Sequence, residues 1–218
     1  MPTIVLATQN PGKVRELQSL LAGSTIDLIG LDSFERGFAE PVEDGGTFLD
    51  NATIKARAYA QATGMHCLAD DSGLIVDALG GMPGVISSHY AFDGDETGEA
   101  ATMSRAQRDE LNCQRVLGEL EGVADADRTA RFTCTMVLSD PLGAVLATTV
   151  RLFEGRIGQV GDVPRGGHGF GYDPLFLVGP GFERTSAELD PEEKNGMSHR
   201  GKAVGAMVEA IQGIFKEN

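Results

Sequence analysis

The sequence lacks any apolar run long enough to cross a bilayer as a helix. It also lacks a basic segment followed by a long apolar stretch and a cleavage site. Met1-Pro2-Thr3 leads straight into Ile-Val-Leu-Ala-Thr, so no secretory leader is expected. Cysteine is scarce: Cys67, Cys113 and Cys134 are far apart, odd in number and without a Cys-x-x-Cys pair. That argues against a zinc site and predicts reduced thiols in a cytoplasmic compartment. Basic clusters are missing as well, and the 18 Lys and Arg against 32 Asp and Glu leave a formal charge of −14. Such a chain offers no docking stripe for nucleic acid and no match for a membrane surface. A small anion such as a nucleotide is still compatible, held by a few basic groups and a divalent cation. Neither repeats nor low-complexity tracts occur. The 218 residues suffice for a substantial core, in one large domain or two lobes sharing it.

The hydrophobic pattern places the elements. "TIVLAT" (3–8) reads as a buried strand, and residues 12–23 as a helix with Val14, Leu17, Leu20 and Leu21 at helical spacing and Gly23 ending it. Residues 26–31 read as a second strand and 32–46 as a loop. Thr47, with Asp50 three residues on, opens a helix that stops at Gly64. "HCLADDSG" reads as a strand running into a turn, and 79–99 as loop. Residues 104–120 form an amphipathic helix with Leu111, Val116, Leu117 and Leu120 inward. Residues 129–140 and 144–157 form a predicted antiparallel hairpin, 158–174 a glycine-rich loop, and "PLFLV" a short strand. A last helix starts after Ser198. This order predicts an α/β fold, a mixed sheet with helices on its faces.

Four segments have the residues for chemistry, and each also has a plainer reading. Thr8-Gln9-Asn10-Pro11-Gly12-Lys13 joins a strand to a helix N-terminus, where backbone N–H groups, the helix dipole and Lys13 favour an anion. An ordinary turn would look the same. It is not a P-loop, because Ala7 and Val14 stand where that motif needs Gly and Ser or Thr. Glu43, Asp70 and Asp71 suit a hard divalent cation, although Asp-Ser-Gly is also common turn composition. Two adjacent buried carboxylates are costly unless positive charge meets them, which predicts a cation from outside the chain. "GFGYDP" (169–174) sets Phe170 and Tyr172 on a glycine-rich backbone, able to stack on a base or to pack beneath their own loop. "EKNGMSHRGKA" (193–203) collects Lys194, His199 and Arg200 near a helix start with Ser198 as cap; a capped helix with solvated charges is the plain version. Lys55 and Arg57 fall on the solvent face of their helix, with Lys55 alternatively turned toward Lys13. His89 and His168 read as loop histidines.

Six stretches taken in order, "LATQNPGKVRELQSLL", "TFLDNATIKARAYA", "LADDSGL", "GGMPGV", "GFGYDPLF" and "AELDPEEKNGMSHRGKA", resemble the nucleoside-triphosphate pyrophosphatases that act on inosine and xanthosine triphosphates. The resemblance covers nearly the whole chain, which it treats as one pyrophosphatase domain, 1–218. It implies an elongated mixed sheet in two lobes, a nucleotide cleft between them, and a homodimer. By position it assigns Thr8–Lys13 to the triphosphate, Asp71 and Glu43 to Mg²⁺ (with Glu40 competing for the second place), and Asp71 to general base. Ser72 becomes a substrate contact, and Phe170, Gly171, Tyr172, Asp173, Lys194, His199 and Arg200 recognise the base. Three positions depart from the family pattern: Asp50 replaces Glu, His89 replaces Arg or Lys, and His168 replaces Gly.

The chemistry implied is attack of water on the α-phosphorus of ITP, dITP or XTP, with Asp71 orienting or deprotonating the water. Pyrophosphate leaves, and the metal and Lys13 absorb the developing charge. Donors facing the C6 carbonyl of hypoxanthine or xanthine would reject adenine, whose amino group is itself a donor. A sensor that binds triphosphate without turnover is the alternative. An aspartyl-nucleophile phosphatase would need a DxD motif that is absent, and an interaction module would bind no nucleotide.

Overall fold

The structure, a computed structural model, describes residues 2–8, 10–21 and 26–216, and only the backbone of residues 11, 12, 15 and 16. Six strands form one sheet in the order β2-β1-β3-β4-β5-β6. They are β1 (Thr3–Leu6), β2 (Asp27–Gly30), β3 (Cys67–Val76), β4 (Thr129–Ser139), β5 (Val145–Ile157) and β6 (Phe176–Val178). β1 pairs in parallel with both β2 and β3, whereas β5 and β6 are antiparallel. Parallel partners need crossovers, supplied by α1 (Pro11–Leu21) and α2 (Phe48–Thr63). The remaining helices are α3 (Gly98–Thr102), α4 (Arg105–Glu119), α5 (Pro191–Met197) and α6 (His199–Lys216). β4 and β5 are neighbours in the sheet, joined by a turn in which Asp140 N donates to Ala144 O at 2.9 Å.

The chain divides into two units. One contains Met1–Ser72, Cys134–Arg151 and His199–Asn218; the other contains Gly73–Thr133 and Leu152–Ser198. In the first unit the period of two along β1 serves two cores. Ile4 and Leu6 pack with Leu17, Leu68, Met136, Val204 and Met207 from α1, the sheet and α6. Val5 and Ala7 pack on the opposite face with Ala52, Ala56, Tyr59 and Ala60 of α2. A strand covered on both faces reads as a continuous apolar run, as "IVLA" does. The second unit has its own core of Leu74, Val76, Val116, Leu120, Phe132, Phe153 and Phe176.

Most predicted elements are present, with several corrections, and α3 (Gly98–Thr102) begins inside the expected loop. Residues 70–73 do not turn: β3 continues through them to Val76, Gly73 is buried, and Leu74 N donates to Ser87 Oγ at 3.0 Å. A helix absent from the sequence reading, α5, is capped by Asp190, whose side chain accepts from Glu193 N, with Pro191 at its first position. Ser198 ends α5 rather than only opening α6, and is extended at φ −71° and ψ 160°. Residues 84–92 form a 3₁₀ segment rather than plain loop. Gly23, the expected end of α1, lies outside the described residues.

Candidate active site

Strand geometry separates the adjacent carboxylates. Side chains alternate across a sheet, so Leu68, Asp70 and Ser72 share one face of β3, and Cys67, Ala69 and Asp71 the other. The flanking apolar residues report the same split: Leu68 lies in the core with α1 and α6, while Cys67 and Ala69 lie in the core with α2. Each carboxylate therefore makes its ion pairs with different cations.

Asp70 is fully buried on the α1 and α6 face. Its Oδ2 lies 3.0 Å from Lys13 Nζ and 3.6 Å from an Arg200 guanidinium nitrogen, and accepts from Ser72 Oγ at 2.8 Å. Burial alone would raise the Asp70 carboxyl, but Lys13, Arg200 and Lys55 together hold it well below the usual carboxylate range. Asp71, on the other face, has Oδ1 3.1 Å from Lys55 Nζ, which also lies 2.5 Å from Glu43 Oε2. For Asp70 the chain itself supplies the cations, Lys13 and Arg200, whereas Asp71 is met by Lys55 at Oδ1 alone.

Lys55 does not lie on the solvent face expected for it; of its two readings the inward one is seen, and it is buried with Asn51, Ala52, Ala56 and Tyr59. The signal was available: Asn51, Lys55 and Tyr59 are spaced by four, on the stripe marked by Ala52 and Ala56. Arg57 is exposed, as expected. Asn51 also anchors the approach to the helix, accepting from Gly45 N at 2.8 Å, and Thr47 caps it by accepting from Asp50 N. Glu43 shares the Lys55 ammonium with Asp71, and Glu40 is exposed. Asp50, the shortened residue, donates its N–H to that cap and accepts from the Thr47 hydroxyl. Burial raises the pKa of Glu43, and the nearby Asp71 adds to it, against the pull of Lys55. The Lys55 ammonium is held charged, its burial outweighed by Asp71 and Glu43.

The loop before α1 is organised by its own side chains. Asn10 Oδ1 accepts from Lys13 N at 3.3 Å, Asn10 O accepts from Val14 N, and Asn10 N donates to Thr8 Oγ1 at 3.2 Å. Asn10 therefore caps α1 and aims Lys13 at β3. Pro11 and Gly12 form the first helical residues, and Gln9 lies outside the described residues.

In the second unit, Asp173 is a hub. Its Oδ1 accepts from Ser186 Oγ at 2.8 Å, and its Oδ2 accepts from Phe170 N at 2.8 Å and from Lys194 Nζ at 2.6 Å. Lys194, Asp173 and Tyr172 are buried. Of the two readings open for Tyr172, the inward-packed one is seen, its hydroxyl donating to Ser87 O at 2.7 Å. Phe170 is half-buried, with Lys194 Nζ 5.8 Å from its ring centroid. Gly169 is required here: its φ is +79°, and a Cβ would come within 2.1 Å of Asp173 Oδ2. His199 and Arg200 are buried at the start of α6 in the first unit, where Arg200 faces Asp70. His89 lies 3.2 Å from Glu96, and His168 is exposed with its N–H on Ala187 O.

Asp71 Oδ2 is buried and accepts no hydrogen bond among the described residues, and Glu43 faces the same ammonium as Asp71. No group of three or more His, Cys, Asp or Glu among the described residues could hold an ion unaided. Mg²⁺ characteristically takes one or two carboxylates and completes its octahedron with water and phosphate oxygens. The pair Glu43 and Asp71 fits that donor set.

The model of the Ham1 family matches residues 4–210. A Yersinia pestis protein named dITP/XTP pyrophosphatase is 43% identical over 217 residues, covering 97% of this chain and 99% of its own. A solved HAM1 protein from Coxiella burnetii is 43% identical with a TM-score of 0.79, covering 97% of this chain and 99% of that one. A Mycobacterium abscessus structure, described as a nucleoside-triphosphatase / dITP/XTP pyrophosphatase, is 40% identical with a TM-score of 0.69 over 94% of this chain and 98% of that one. With the family pattern running through both units, from β1 to α6, the chain belongs to the Ham1 family.

Proposed function

We propose that the chain is a Mg²⁺-dependent pyrophosphatase of non-standard purine nucleoside triphosphates. It would convert ITP, dITP and XTP to the monophosphate and pyrophosphate and so cleanse the nucleotide pool. The observation that carries this reading is the clamp of Glu43 and Asp71 on Lys55, which leaves Asp71 Oδ2 buried and open to a proton. The names of full-length relatives point to the same reaction. Glu43 and Asp71 would hold the metal, which when bound supplies Lewis-acid charge to the phosphate oxygens.

Asp71 Oδ2 takes a proton from water as the water oxygen bonds to the α-phosphorus. The bond from that phosphorus to the bridging oxygen breaks, and pyrophosphate departs with the electron pair. Lys13, at the head of α1, neutralises the departing phosphates, and the Thr8–Lys13 loop, Gln9, Pro11 and Gly12 included, orients them. Ser72 contacts substrate. Phe170 stacks on the base, and Gly171, Tyr172, Asp173, Lys194, His199 and Arg200 shape its recognition. Tyr172 and Asp173 would act through their buried hydrogen bonds rather than by touching the base. The whole chain, 1–218, would work as one pyrophosphatase domain in a cytoplasmic homodimer, a state that light scattering tests.

The deciding experiment is a panel of nucleoside triphosphates with Mg²⁺, scoring pyrophosphate against orthophosphate. Pyrophosphate from ITP, dITP and XTP is expected. Binding without release would establish the sensor reading instead.

A further inference from the structure

Phe170 and Gly171 present consecutive backbone N–H groups, and carboxylates from two different elements take them. Phe170 N donates to Asp173 within the loop, while Gly171 N donates to Asp109 Oδ2 of α4 at 2.9 Å. One helical turn on, Cys113 Sγ donates to Gly171 O at 3.5 Å. Asp109 and Cys113 are spaced by four on one helix face, so a single turn of α4 holds both backbone polar groups of Gly171. That glycine sits at φ +62°, a conformation that other residues rarely adopt. One turn before Asp109, Arg105 lies 3.7 Å from its carboxylate, and the guanidinium carbon is 5.2 Å from the Phe170 ring centroid.

Asp109 is not needed to start α4. Ser104 and Gln107 already form a complete capping box, and Asp109 sits beyond it. Its side chain is largely buried, and a buried carboxylate is costly unless its partners require it. Its hydrogen bond goes to the Phe170 loop and its ion pair to Arg105, the residue covering that ring, with Arg108 and His89 also within its electrostatic reach.

We propose that Asp109, with Arg105, is a positioning residue for base recognition: it fixes Gly171 and thereby the plane of the Phe170 ring on which the purine stacks. This rests on the reading of Phe170 as the stacking platform. The device acts on the base end of the substrate and not on the phosphates, which separates it from a general structural role.

The test measures kcat and KM for ITP, and inhibition by inorganic triphosphate, in full-length protein with Mg²⁺. The variants are Asp109→Ala, Asp109→Asn, Phe170→Ala and the Asp109→Ala/Phe170→Ala double mutant. Asp109→Ala is expected to raise KM for ITP about tenfold, within the range of a lost base stack, with kcat little changed and inorganic triphosphate inhibiting as before. Asp109→Asn keeps an acceptor for Gly171 N–H and should stay near wild type. In the Phe170→Ala background Asp109→Ala should add nothing further. A wild-type KM in Asp109→Ala, alongside a raised KM in Phe170→Ala, overturns the positioning role and leaves the stacking reading standing. An unchanged KM in Phe170→Ala overturns both. Equal weakening of ITP and inorganic triphosphate shows general damage and also overturns the role. Should Asp109→Ala fail to fold, Arg105→Ala must raise KM for ITP selectively, and its failure to do so overturns the role equally.

Discussion

Lys55 Nζ lies 3.1 Å from Oδ1 of Asp71, and the same ammonium holds Glu43 at 2.5 Å. One buried cation thus brings together two carboxylates from a loop and a strand that would otherwise repel each other. Replacing it with the uncharged Lys55→Met removes the lysine's opposition to the raised pKa of Glu43, so that carboxyl should titrate higher still. The acid limb of the pH–rate profile for pyrophosphate release is expected to move to higher pH. An unmoved limb would show that Glu43 does not need to be ionised for turnover.

Asp71→Asn should keep the fold and nucleotide binding while turnover falls by orders of magnitude. The amide retains the size of the side chain and an oxygen for Lys55, but it cannot accept the proton from water. Calorimetric titration with ITP beside a pyrophosphate assay separates the two effects, and near-normal turnover would remove Asp71 from its role as base.

Lys13→Ala should weaken binding of triphosphate more than of monophosphate, and it should also make stability less dependent on acid. The folded pKa of Asp70 lies below its unfolded value. Its carboxylate therefore stabilises the fold above about pH 4, the ordinary aspartate range, and that contribution is lost as pH falls. Without Lys13 the contribution is smaller, so wild type should be the more stable at pH 7, with the gap narrowing in acid. Urea midpoints from pH 7 to pH 3 measure it; a constant gap would mean that Lys13 stabilises by packing alone.

Phe170→Ala and Arg200→Ala should differ in their effect on discrimination. Phe170 supplies stacking that is indifferent to base identity, so its loss should lower kcat/KM for ITP and ATP by similar factors. Arg200 faces Asp70 at 3.6 Å. If it also donates to the C6 carbonyl, its removal lowers the ITP-to-ATP ratio of kcat/KM; an equal loss for both nucleotides assigns it to neutralising Asp70.

Arg128 is buried, and its guanidinium donates to the carbonyls of Leu120, Val123, Ile157 and Gly158. Arg128→Met leaves those acceptors dry. A loss of roughly 2–4 kcal/mol is expected, as for one or two buried groups left without a partner. The urea midpoint should fall with kcat/KM for ITP little changed in the folded protein.

The hydrophobic periods were legible to within a residue or two. The run at β1, the amphipathic stripe of α4, the Thr47 start and the Gly64 end of α2 all depend on contacts within a few positions of one another. α5 escaped because its seven residues are mostly polar and carry no periodic apolar stripe. The partner of the Tyr172 hydroxyl was not legible, because Ser87 O lies 85 residues away. The turn expected at Asp-Ser-Gly was wrong for a related reason. The composition suits a turn, but Ser72 bonds Asp70 across two residues of an extended strand, and the flanking residues are buried.

The adjacency of Asp70 and Asp71, the lysines at 13 and 55 and the glycines around Phe170 are written in the chain, and with them the family it resembles. Which charge meets which is not. Lys13 reaches Asp70 across 57 residues because α1 returns the chain beside β3, and Lys55 reaches Asp71 across 16 because α2 packs on the opposite face of that strand. Electrostatic energy depends on separation and on the water excluded between groups. Both are set when strands and helices pack, and no short stretch of sequence contains them.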